Sequence, residues 1–112
     1  SIESKTIVFN AITNTDYSLR DFVGKTIDLV NFVAHKVEIY NEKTGEMEPA
    51  IRCVLVDKNN KTYGTVSNGI NQAMTRLLGI VGHPSTWDKP LKISVSEKKS
   101  NKGYRFLSIG LV

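Results

Sequence analysis

The stretch Ser67-Asn68-Gly69-Ile70-Asn71-Gln72-Ala73-Met74-Thr75-Arg76-Leu77-Leu78-Gly79-Ile80-Val81 decides the reading of the chain, because it is the one good helix in it. Ser67 is a natural N-cap, and Ile70, Ala73, Met74, Leu77, Leu78 and Val81 recur at spacings of three and four. Asn71, Gln72, Thr75 and Arg76 fall on the opposite face. Gly82 is placed to end the helix in a left-handed residue, and Pro84 bars continuation. Nearly everything else is strand-like.

Three strand-like runs stand directly before the helix. Thr26 to Tyr40 is long, and its apolar phase changes midway. Ile27 and Leu29 share one face, Val30, Phe32 and Ala34 the other, and Val37 and Ile39 return to the first. A bulge or bend near Val30-Asn31 accommodates this, as when one strand serves both sides of a small barrel. Asn41 to Gly45 reads as a hairpin loop. Met47 to Val56 follows with apolar residues on both faces (Ile51, Cys53 and Leu55; Val54 and Val56), which suits a central, covered strand beginning around Pro49. Asp57 to Asn60 is a turn, and Lys61 to Val66 leads into the helix.

Two strands follow it. Gly82 to Pro90 is a connector in which Trp87 is expected to cap one end of the core. Leu91, Ile93 and Val95 point inward, Lys98 to Gly103 forms a basic hairpin tip, and Leu107, Ile109 and Leu111 are expected inward on the last strand. At the other end of the chain, residues 5–12 and Tyr17 to Leu19 read as a hairpin, and Phe22 or Val23 is expected to tuck onto the core.

Strand, strand, strand, helix, strand, strand is the order of an OB-fold, a mainly β, five-stranded barrel whose helix sits between strands three and four. Residues 1–112 are read as a single domain, with 1–24 an N-terminal elaboration. An unrelated sheet with one packed helix is the competing architecture.

Composition agrees with a globular domain: 40% of residues are apolar and 23% charged, and 112 residues bury roughly two-thirds of the unfolded surface. No stretch approaches the length of a membrane span, and the start has no charged-then-apolar leader pattern. Loss of an initiator Met before Ser1 is the expected account of the first residue. The single cysteine, Cys53, excludes an internal disulfide and suits a reducing, cytoplasmic setting.

Charge is unevenly distributed. Residues 1–60 carry seven Lys/Arg against nine Asp/Glu, whereas residues 61–112 carry eight against two, Asp88 and Glu97. A basic half points to a polyanion.

Catalytic motifs are absent from the sequence. Gly24-Lys25-Thr26 imitates the end of a P-loop, but the glycine required five positions earlier is Leu19, and a strand follows instead of a helix. Gly79 to Thr86 is glycine-spaced without a lysine. His35 and His83 have no ligand-spaced partners, His35 is expected at the surface or barrel rim, and Cys53 is expected to be buried. The carboxylates Glu42, Glu46 and Glu48 read as a solvated loop. The expectation is no enzyme, no metal, no cofactor, no small-molecule substrate and no membrane.

The stronger constellation mixes rings and cations. Tyr104 and Phe106 project from the non-core face of the last strand, with Arg105 between them in sequence. Lys98, Lys99 and Lys102 occupy the adjoining tip, Lys92 lies on the neighbouring strand, and Tyr63 stands on the strand entering the helix. Arg52 and Lys61 add charge near Tyr63. Exposed rings stack on bases and lysines follow phosphates, which is what binding to a single strand of any sequence requires. For each ring the alternative is core packing.

The residues also resemble a known family, the single-stranded DNA-binding proteins of small tailed phages of Gram-positive hosts that replicate linear genomes by protein priming. The likeness lies in an ordered set: Phe9-Asn10-Ala11 followed by Thr13; the Gly24 to Ala34 run with Thr26, Ile27, Asn31 and Ala34; the Tyr63 to Ser67 run; then Lys102-Gly103, Phe106 and the Ser108 to Leu111 tail. The resemblance implies cooperative, sequence-independent coating and protection of displaced strands during viral DNA replication in the host cytoplasm. It also implies stimulation of the replicative polymerase, which makes that polymerase a second partner to consider. It assigns base stacking to Tyr63, and to Tyr40 only if the hairpin is shifted. Where the family carries a tyrosine late in the first long strand this chain has His35-Lys36, so Lys36 is expected to contribute charge. The chain ends Ile109-Gly110-Leu111-Val112 without an acidic tail, and recruitment through such a tail is not expected. Two rival readings stand beside this one: a protein-interaction or virion module without a nucleic-acid role, and an RNA-binding OB protein.

Overall fold

The computed structural model describes residues 15–112. The strand expected over residues 5–12, and the family-like residues Phe9 to Thr13, lie outside them. Six strands form one curled sheet: β1 (Tyr17–Ser18), β2 (Thr26–Asn41), β3 (Glu46–Asp57), β4 (Thr62–Val66), β5 (Leu91–Lys99) and β6 (Arg105–Leu111), in the order β1-β4-β3-β2-β5-β6. The helix α1 (Asn68–Val81) lies between β4 and β5, as its sequence pattern predicts, and short 3-10 turns occupy Leu19–Phe22 and Pro84–Thr86.

The long strand β2 is shared by two partners. Its first four residues, Thr26 to Leu29, pair antiparallel with Ser94 to Leu91 of β5, and its remainder pairs with β3 as far as Asn41 opposite Glu46. Between Leu29 and Asn31 the register slips, at the bulge expected from the change of phase. The slip also corrects the expected faces. Phe32 joins Ile27 and Leu29 on the main core, while Val30 pairs off with Val33 against Val54 and Val56 on the other side of the sheet. An extra residue reverses the alternation that follows it, so Val30 and Phe32 part company despite their spacing of two.

The main core joins Leu19, Ile27, Leu29, Cys53, Leu55, Tyr63 and Ile93 with the helix residues Ile70, Met74 and Leu77. Ser67 caps α1 by accepting a hydrogen bond from the Ile70 N–H at 3.3 Å, and the Gly82 N–H closes the other end on the Leu78 carbonyl at a φ of 82°. The helix packs on β6 and β3. Its first turn comes so near β6 that a Cβ on Gly69 would lie 2.9 Å from the Leu107 carbonyl oxygen, which explains a glycine inside a helix. Cys53 is fully buried, its thiol 3.8 Å from the Asn71 side-chain oxygen, and burial pushes its pKa up to about 11. Trp87 packs against the core and donates to the Gly82 carbonyl at 3.1 Å.

Two further expectations change, and one that left two candidates is narrowed to one. The short strand at Tyr17–Ser18, expected to return on residues 5–12, pairs parallel with β4, Tyr17 opposite Tyr63, so among the described residues it adds a sixth strand to the sheet, and Leu19 leaves it to enter the core. Of the two candidates in the connector, Phe22 meets the core and Val23 is exposed. Leu111, expected inward, is 56% exposed at the end of β6.

Tyr63 is held by a specific network. Its hydroxyl donates to Asp57 Oδ2 at 2.6 Å, while Asp57 Oδ1 accepts from the Asn59 and Lys61 N–H groups and so closes the β3–β4 turn. Nearby, Asp16 accepts from the Thr62 N–H and hydroxyl, and those bonds hold its carboxyl below the usual carboxylate range. Burial, followed by the hydrogen bond to Asp57 and its charge, raises the Tyr63 hydroxyl pKa on folding.

This packing sets the response to substitution and to pH. In urea unfolding, Met74→Ala should cost about 2–5 kcal/mol and Ser67→Ala about 0.5–2 kcal/mol. Tyr63 contributes fully below the unfolded tyrosine pKa near ~10, and that contribution drains away as pH rises past it. Urea midpoints compared at about pH 8 and about pH 11 should therefore fall more for the wild type than for Tyr63→Phe; equal falls would contradict the buried hydrogen bond.

Candidate nucleic-acid interface

The β5–β6 hairpin brings together the largest share of the residues singled out from sequence. Its register places Lys98 opposite Phe106 and Lys99 opposite Arg105. The tip is a tight turn: the Ser100 N–H bonds to the Tyr104 carbonyl at 2.7 Å, and the Gly103 N–H, at a φ of 87°, bonds to the Ser100 carbonyl. The Ser100 hydroxyl accepts from the Tyr104 N–H, which fixes the backbone at the foot of the turn. Tyr104 is 72% exposed and Phe106 39% exposed. Their neighbour Leu107 is buried, as strand alternation requires when its partner face carries the rings. Lys98, Lys99 and Lys102 are all exposed around them.

Arg105 does not share the face of Phe106. It takes the opposite side of β6, where its Nη1 lies 3.4 Å from Glu97 Oε1, and Arg20 approaches the other oxygen of the same carboxylate at 3.8 Å. Both arginines are well exposed, so these pairs contribute little to stability. Their effect is to link the Leu19–Phe22 turn to the base of the basic tip and to offset one of its charges.

Lys92 shares the face of Lys98 but sits at the far end of β5, six residues or about 20 Å away, opposite Asp28. Lys36 and Tyr40 lie on the projecting β2–β3 arm, opposite Ile51 and Met47, and Tyr40 is open to solvent. Arg52 is half-buried beside His35 and bonds to the Thr15 hydroxyl, with its guanidinium over Gly64 at a distance that leaves no room for a Cβ there. Lys61 is exposed in the β3–β4 turn. His35 is half-buried, and its Nε2 is shielded from solvent.

Tyr63 is the main departure from expectation. It is 8% exposed, with its ring against Phe22 at 4.8 Å and Tyr17 at 5.3 Å between centroids. The need of a tyrosine hydroxyl for a partner is the reason to expect it in water; Asp57 supplies the partner that allows it inside. The ring that reaches solvent at this place is Tyr17, 43% exposed and backed by both others. No sequence signal singles out Tyr17, because it follows a turn with no alternation to assign its face.

Arg76 is a second residue that sequence patterns leave unmarked. With Lys98 and Ser108 it lines a groove of about 310 Å³ between α1 and β6, walled by Ala73, Leu77 and Ile80. The helix periodicity puts Arg76 on its polar face, but only the packing of α1 on β6 brings that face beside Lys98.

The comparisons with known proteins bear on the whole chain. A family model described as Phage Single-stranded DNA-binding protein matches residues 1–112. The single-stranded DNA-binding protein of Bacillus phage GA-1 is 25% identical over 104 residues, which cover 88% of this chain. The chain spans 61% of that relative's length. No solved structure matches it. The end-to-end family match, on a chain whose rings and lysines converge on one exposed hairpin, means that the protein belongs to the family of phage single-stranded DNA-binding proteins.

Proposed function

We propose that the protein binds single-stranded DNA without sequence preference, through the β5–β6 hairpin, and coats strands displaced during phage DNA replication. The observation that carries this reading is the exposure of Tyr104 and Phe106 in a hairpin that carries Lys98, Lys99, Lys102 and Arg105 against a single carboxylate, Glu97. A ring open to solvent offers its face to any base, and ammonium groups held on both sides of the hairpin meet the phosphates on either side of a stacked nucleotide. Membership of the family supports the same reading.

On this reading the curled sheet is an OB-type barrel. Strands β2 to β6 supply its five strands, and β1 is an addition beside β4. Tyr40 and Lys36, on the β2–β3 arm, form the opposite bank of the site, with more acidic surroundings and fewer phosphate contacts. Tyr63 acts through Tyr17, as the buried support of the ring that reaches solvent. The role is non-enzymatic and is carried out in the host cell, with the replicative polymerase as a second partner.

Titration of a labelled oligo(dT) at several salt concentrations tests this directly. Replacing Lys98, Lys99 and Lys102 together by glutamine should reduce the magnitude of the slope of log K against log salt by about 2, at roughly 0.7 for each phosphate left without its cation. Tyr104→Ala should weaken binding by about 1–3 kcal/mol at every salt concentration. A wild-type protein that fails to bind at low salt would refute the reading.

A further inference from the structure

Three surfaces lie beyond the hairpin tip just described: the Tyr17 ring on its aromatic support, the exposed Ile39, Tyr40 and Met47 of the β2–β3 arm, and the groove that α1 forms with the side of the hairpin. The groove combines most features. Arg76 and Lys98 line it, and no carboxylate among the described residues does. None of the residues of α1 is acidic, so nothing on that wall offsets Arg76. Ser108 contributes a hydroxyl to the lining.

Its rim is apolar and open. Ile80 is 82% exposed, and Leu111, which the strand pattern directs toward the core, stands in solvent at the groove's end. Large aliphatic side chains beside two cations suit a ligand with a flat apolar part and an anionic part. The groove also adjoins the hairpin site. Lys98 lines it and is the direct cross-strand neighbour of Phe106, and Ser108 follows Phe106 on the same face of β6.

We infer that the α1–β6 groove holds a nucleotide of the same bound strand beyond Phe106, with its phosphate between Arg76 and Lys98 and its base against Ile80 and Leu111. This rests on the DNA-binding reading of the hairpin and extends its path onto the helix. The polyanion is favoured over a protein occupant by charge, because both charged side chains of the lining are cations. Arg76 is then a second-site phosphate contact, and the helix takes part in binding as well as closing the core.

The test uses the full chain and fluorescence anisotropy of labelled oligo(dT), with Arg76→Gln and Ile80→Asp compared with wild type and Tyr104→Ala. Both residues are exposed, so circular dichroism melts should stay at the wild-type midpoint. Arg76→Gln should lower the magnitude of the salt slope by about 0.7, and Ile80→Asp, which sets a carboxylate at the rim, should weaken binding by about five-fold or more. If the wild type binds and Tyr104→Ala weakens it while either groove variant binds as wild type, the inference fails and the hairpin reading stands. If Ile80→Asp alters only the oligomeric state in sedimentation, the groove is a protein contact and the inference fails. Absence of binding by the wild type itself overturns the hairpin reading and this extension with it.

Discussion

The rest of the structure depends on the register slip in β2 between Leu29 and Asn31. A sixteen-residue strand cannot keep one face in a small core along its whole length unless it bends, and it cannot bend sharply without giving up a ladder position. The slip does both. Before it, β2 pairs with β5; after it, β2 pairs with β3, and the main core continues from Leu29 to Phe32 across the break. Every other strand takes its place from this one: β4 and β1 follow on the β3 side, and β6 on the β5 side. The β5–β6 hairpin therefore stands at the end of the sheet, with a tip that no other strand among the described residues covers.

The helix is the second constraint. It leaves β4 at Ser67 and comes down on β6, where Gly69 allows near contact with the Leu107 backbone. That contact fixes which face of β6 is turned to the core. Leu107 goes inside and Phe106 is left outside, close to the first turn of α1. A single glycine thus connects the packing of the core to the presentation of the rings. The charges are arranged by the same alternation: Lys98 falls on the side of Phe106, while Lys99, Arg105 and Glu97 fall on the other. Cations consequently reach both faces of one hairpin.

Much of this is legible in the sequence wherever a local pattern carries it. The limits of α1 are written in Ser67, in the three-and-four spacing and in Gly82, and the bulge of β2 in the switch of apolar phase at Val30-Asn31. The basic tip is visible from composition alone. What escapes depends on residues distant in sequence or on packing that no period encodes. Tyr63 looks like a solvent residue because a tyrosine hydroxyl needs a partner, and nothing local announces that Asp57 will turn inward to supply it. The parallel pairing of Tyr17–Ser18 with β4 joins segments some 46 residues apart. Leu111 obeys the strand alternation, yet the core ends before it does, so its place is solvent. Arg76 becomes part of a groove only through the angle at which α1 meets β6.

The central claim is that the strand-binding surface is the outer side of the β5–β6 hairpin. Backbone amide shift mapping during titration with unlabelled oligo(dT) tests it most directly, because every residue from 15 to 112 except the prolines reports on itself. The account predicts the largest changes from Lys98 to Phe106, with further changes along Ser108 to Leu111 and around Arg76. Shifts that leave this hairpin unmoved while clustering elsewhere, for example at Val33, Val54 and Val56 on the part of the sheet where β2 pairs with β3, would contradict it.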